Sequence, residues 1–171
     1  YKNKTERSNR FIAFWKTELP LMFKQYEKQL LNSFIFFVVF CMMGVLSAKY
    51  DSHFLELVLG PRGKEYVEMT KDNIAKGDPF GVYKSHGEVM MFFGIAMNNI
   101  FVSLVIFVCG IFFSVGSIFF LMRNALMLGA FEYFFFSRGF GAESILVISI
   151  HGSMEISSII IAGAAGFVLG N

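Results

Sequence analysis

Between Met90 and Phe136 the chain carries only two formally charged residues, Arg123 and Glu132. From Ser144 to Asn171 the only ionisable side chains are His151 and Glu155. Runs this long and this apolar exceed the roughly 20 residues that a helix needs to cross the hydrocarbon of a bilayer. They restrict the chain to one class of solution. In lipid every backbone N–H and C=O must be satisfied within the segment, and a helix does this. Composition agrees: 16% of residues are charged and 23 are phenylalanine, whereas a soluble domain carries about 25% charged residues. The expected class is all-α, a polytopic transmembrane helical bundle. Its principal partner is then the lipid bilayer, and no nucleic-acid partner is expected.

The division along the chain follows from charge. Residues 1–30 form an N-terminal amphipathic interfacial helix. Within residues 11–30, Phe11, Phe14, Trp15, Leu19, Met22, Phe23 and Tyr26 recur at three- and four-residue steps with basic residues between them, the pattern of a helix lying in the membrane interface. Packing of that helix on the protein's own surface is the competing reading. Pro20 is expected to split it, with Thr17 capping the second piece. The first 29 residues hold seven Lys or Arg against three Glu, which places the N-terminus in the cytoplasm.

Residues 31–171 form the transmembrane domain, with an outer polar segment at 49–88. That segment has six Lys or Arg and seven Asp or Glu, hence no positive excess. "GKEYVEMTKDNIAKGDP" reads as a short helix closed by Gly77 and Pro79. Spans are expected at about 31–48, 89–111, 118–136 and 144–170, with turns at 110–117 and 137–143. If the first of these turns does not cross the membrane, the third element is re-entrant. The chain stops directly after an apolar helix, so further chain is expected beyond Asn171. Cys41 and Cys109 both fall in spans and read as small packing residues.

The polar groups inside the spans are the candidate site. His151 and Glu155 are four residues apart and share one helix face. Ser158, Ala162, Gly166 and Gly170 continue that face. Small residues let helices approach closely in lipid, and intramembrane ionisable groups turn to the bundle interior. The pair is therefore expected inside the bundle, with Asn98, Asn99, Arg123 and Asn124 as its candidate partners. Glu132 is a further candidate, and an Arg123–Glu155 or Arg123–Glu132 pair would offset the cost of burying charge.

Three uses of these groups compete. A zinc site needs three or four ligands, and the other histidines, His53 and His86, lie in the outer segment. Neither metal, cofactor nor catalytic residue is expected. Transport or proton transfer can use buried His, Glu and Arg. A structural lock, hydrogen-bonding across helices, is the blander use and the one favoured. The expected protein is thus a non-enzymatic scaffold or assembly component of a cell-envelope process. A transporter or channel subunit for an ion, small solute or lipid is the alternative. "HGE" at 86–88 echoes "HGSME" too briefly to be a repeat.

"YVEMTKDNIAKGDPFGVYK", "NNIFVSLVIFVCGIFFSVGS", "RNALMLGAF" and "HGSMEISSIIIAGAAGFVLG" together resemble the stage II sporulation protein M family of bacterial membrane proteins, from about residue 60 to the end. The His-Gly-x-x-Glu element with its Ala/Gly-rich run is the most specific part. The family pattern has Asn-Gly in the third span, where this chain has Asn124-Ala125. The resemblance implies an all-helical protein of the bacterial cytoplasmic (inner) membrane with further spans after these. It also implies a role similar to that of a scaffold, which in the named member assembles with peptidoglycan hydrolases during engulfment. Other envelope proteins or a second copy, as a homo-oligomer, are then the expected partners. It implies no substrate and no catalytic residue.

Overall fold

The computed structural model describes residues 10–81 and 88–171, without the side chains of 88–92 and 147–151. Among the described residues the secondary structure is helical throughout. A π-helical turn, Phe14–Glu18, leads into α1 (Leu19–Gln25). The long helices are α2 (Glu27–Tyr50), α5 (Glu88–Val108), α6 (Val115–Phe136) and α7 (Gly141–Leu169). Two short helices, α3 (Phe54–Leu59) and α4 (Gly63–Ala75), stand between α2 and α5. Among the described residues four stretches are long and apolar enough to cross a membrane: Glu27–Tyr50, Phe93–Ile111, Val115–Phe136 and Gly152–Leu169.

The N-terminal helix is broken, but not as expected. Thr17 makes no cap. Instead the Leu19 N–H reaches back to the Phe14 carbonyl, a five-residue step. The next residue, Pro20, has no N–H to give, so widening the helix just before it sacrifices few bonds. Tyr26, at φ −108° and ψ 23°, then separates α1 from α2. Phe11, Trp15, Leu21 and Met22 stay exposed on this segment. Trp15 stands edge-on to Phe11 and Phe14, with ring centroids 6.1 and 5.7 Å away.

The bundle has two ends. At the near end lie the start of α2, the turn between α5 and α6, and the C-terminus of α7. At the far end lie α3, α4 and the 137–140 turn. Helices α2 and α6 run in the same direction: Asn32 and Ile118 share one recess at the near end, and Ala48 and Ala130 share another at the far end. Among the described residues α2 and α5 share no contact, while α6 and α7 touch each other and both of them.

The core forms in two pieces. One lies between the long helices and contains Phe37, Ile106, Leu121, Ala125 and Ile159. The other ties α3 and α4 to the end of α6 through Leu55, Val67, Ala130, Phe134 and Phe135. Phe135 is fully buried and stacks on Phe80 at 5.1 Å.

The near-end turn is tight. A 3₁₀ turn at Cys109–Ile111 is followed by Phe113 and Ser114, both with positive φ (50° and 61°). At the far end Arg138 is used structurally. Its Nη1 donates to the Phe134 carbonyl at 2.8 Å, and its guanidinium lies 3.7 Å from the centre of the Phe134 ring. A cation at this position complements the exposed carbonyls of a helix C-terminus. That gives this arginine a local structural role at the end of α6.

Candidate functional site in the bundle interior

Helices α5 and α7 run parallel, with the same separation along the chain at two levels. In mid-bundle Asn99 faces Glu155; at the near end Gly110 faces Gly166. The Asn99 amide lies within hydrogen-bonding reach of the half-buried Glu155 carboxylate. Asn99 Oδ1 and Ser103 Oγ, one turn apart on α5, are buried and have no hydrogen-bond partner among the described residues. Ser158 donates to the Glu155 carbonyl at 2.8 Å, a bond within its own helix. His151 is one turn before Glu155 in α7, and its side chain lies outside the described residues.

The other sequence candidates are placed elsewhere. Asn98 is exposed, about 100° around α5 from its neighbour Asn99. Asn124 donates to the Phe120 carbonyl at 2.8 Å, satisfying a group of its own helix. Arg123 is exposed on α6 and makes no ion pair among the described residues, so neither Glu155 nor Glu132 is its partner. Glu132 sits towards the far end, where Ser144 of α7 lies against its carboxylate and Cys41 of α2 is close by. Ser144 is fully buried, yet neither its Oγ nor Glu132 Oε2 has a hydrogen-bond partner among the described residues.

The small-residue stripe lies against neighbouring helices. Ala162 is buried. A Cβ at Gly166 would strike Ser117 and the Ile106 carbonyl, and one at Gly170 would strike Ser114 and Gly110.

Sequence reasoning missed two kinds of contact. Helices α2 and α6 approach backbone to backbone, where Gly44 meets the Leu126 backbone and Gly129 meets the Cys41 backbone. The available signal was Ala125-x-x-x-Gly129. Two serines also lock helices together. Ser33 of α2 donates to the Ile160 carbonyl of α7 at 2.7 Å, and Ser117 of α6 donates to the Ile106 carbonyl of α5 at 2.5 Å. Among the described residues no three His, Cys, Asp or Glu side chains come together as metal ligands would.

The geometry makes Glu155 the cross-helix partner of Asn99. Glu155→Leu is expected to destabilise the bundle by about 1–3 kcal/mol, because the Asn99 amide is left buried and unpaired. Glu155→Gln keeps an acceptor and should lose less. Thermal unfolding in detergent of the two variants decides this, and equal stabilities would rule out the pairing.

A family model described as stage II sporulation protein M matches residues 33–171. No curated protein and no solved structure matches the chain.

Proposed function

We propose that this chain, which belongs to the stage II sporulation protein M family, is a non-enzymatic membrane scaffold that assembles other proteins, or further copies of itself, for a cell-envelope process. The observation that carries this reading is Arg123. It stands eight residues into α6, about 12 Å along the helix axis, exposed and unpaired among the described residues. Val115 and Phe119 share its outward face. Charge inside a membrane turns towards protein or water because facing hydrocarbon costs several kcal/mol. Neither Glu132 nor Glu155 pairs with it among the described residues, so the natural counterpart of Arg123 is a group on another protein.

A photo-crosslinking residue at Phe119 tests this in cells. Protein adducts are expected at Phe119, and they should fall at least about tenfold with Arg123→Leu, the loss of one desolvated charge-assisted contact. The unfolding temperature should be preserved. Adducts to lipid alone, or adducts indifferent to Arg123, would reject the scaffold reading.

The proposed location is the bacterial inner membrane, N-terminus in the cytoplasm, from the basic N-terminal flank. Cysteines placed at Lys64 or Lys71 of α4, with Cys41 and Cys109 replaced by alanine, should react with an impermeant maleimide from the outside of intact cells. Reaction only after lysis would invert the topology.

Transport is a second reading, supported by Asn99 Oδ1 and Ser103 Oγ, which have no hydrogen-bond partner among the described residues, near a membrane-buried carboxylate. Solute or ion flux into proteoliposomes that vanishes with His151→Ala or Glu155→Gln would favour it over the scaffold.

A further inference from the structure

At the near end, outside the site already described, three polar side chains of α2 gather around one recess. Lys28 and Asn32 are one turn apart on the same helix face, and Gln29 is beside them. Among the described residues none of the three has an internal hydrogen-bond or ion-pair partner. Ser114 forms the facing wall. Its left-handed backbone (φ 61°) and its hydroxyl, 3.4 Å from the Phe167 carbonyl, fix it there. Asn171 closes one side, and the recess measures ≈ 390 Å³.

The lining changes character along the helix axis. One turn beyond Asn32 comes Phe36, edge-on to Phe167 at 6.0 Å, with Ile118 of α6 next to them. Lys28 to Phe36 spans about 12 Å. A cation and two amides at the mouth, then aromatic and aliphatic walls, match the profile of an amphiphile with an anionic head. The surrounding charge has the same bias: residues 10–28 carry Arg10, Lys16, Lys24 and Lys28 against Glu18 and Glu27. Donors at the mouth suit phosphate oxygens, to which lysine presents a point charge.

From this juxtaposition we infer that the recess is a binding site for one anionic phospholipid. Its phosphate meets Lys28, Gln29 and Asn32, and its acyl chain lies along Phe36, Ile118 and Phe167. An inorganic anion or an acidic peptide would use the mouth only and leave the apolar half of the recess unfilled.

The test uses the full chain in vesicles with a single local reporter, Phe36→Trp in a Trp15→Phe background. Quenching by brominated phosphatidylglycerol is compared with quenching by brominated phosphatidylcholine at equal mole fraction. A preference of about fivefold for the anionic lipid is expected, the effect of one basic residue near a charged leaflet. Lys28→Ala with Asn32→Leu should abolish the preference, while quenching by the phosphatidylcholine stays the same and reports an intact fold. Lys24→Ala, a cation outside the recess, should keep most of it. Equal quenching by the two lipids in the reporter protein overturns the inference. So does a preference that survives the double substitution, or one that Lys24→Ala removes as completely, since general surface charge would then explain it. Removal of the preference by excess inorganic phosphate at constant ionic strength would assign the mouth to free phosphate and also overturn the lipid site.

Discussion

Gly129→Val is expected to be the most damaging single substitution in the chain, at about 3 kcal/mol or more, beyond the usual range for overpacking. A Cβ at residue 129 falls on the Cys41 backbone carbonyl, with the Val45 nitrogen 3.0 Å away. Backbone cannot rotate aside as a side chain does. Helices α2 and α6 must separate, and the separation propagates to Phe37, Leu121 and Ala125, which pack in the same core. Gly44→Val, which strikes the Leu126 backbone, should behave alike. Gly94→Ala is the control: among the described residues nothing lies within 4 Å of its added carbon, so a small change of either sign is expected. Thermal unfolding in detergent would show the contrast. Similar unfolding temperatures for Gly129→Val and Gly94→Ala would refute the α2–α6 crossing.

The second large effect is expected at Gly166. A Cβ there meets the Ser117 side chain, which donates to the Ile106 carbonyl. Gly166→Val therefore overpacks the contact and also removes a buried hydrogen bond, for about 2–4 kcal/mol together. The α5–α6 turn should loosen, so maleimide labelling of the partly buried Cys109 should accelerate. Gly166→Ala with Ser117→Ala offers a sharper check. Removing the hydroxyl makes room for the new methyl, so the double variant should lose less than the sum of the singles. Strict additivity would mean that the two residues do not meet.

The four spans were legible because uninterrupted apolar sequence admits few alternatives in lipid, and the expected all-helical bundle is the one observed. Boundaries moved by a few residues: the turn expected at 110–117 is confined to the 3₁₀ turn and the three residues after it. α3, with only Phe54–Leu59, is too short to display a period. The π-helical turn before Pro20 left no mark of its own, because a proline predicts a break and not its form.

Within the candidate site, the facing of residues on a single helix was easier to read than the rotation of helices against one another. Glu155 and the Gly166 stripe share a face by spacing alone. Arg123 required knowing which side of α6 is buried. That side carries Leu121, Ala125 and Gly129, and Arg123 is two residues from both Leu121 and Ala125, roughly 200° around the helix. The Ala125-x-x-x-Gly129 step would have turned it outward. Ser33 and Ser117 gave less warning still, because a lone serine in a span is compatible with any facing.

The Ser33 contact also bears on how the protein is made. Its hydroxyl is fully buried and bonded to the Ile160 carbonyl, 127 residues later in the chain. At ordinary elongation rates that carbonyl leaves the ribosome on the order of ten seconds after Ser33 does. During the interval α2 is already in lipid, and a hydroxyl there can turn back to a carbonyl of its own helix. Only when α7 arrives can Ser33 exchange the local bond for the distant one. The arrival of α7 also brings Gly166 to Ser117 and Gly163 to Ser33. Until then α2, α5 and α6 are an open intermediate with its deepest polar groups provisionally satisfied, and α7 is the helix that closes it.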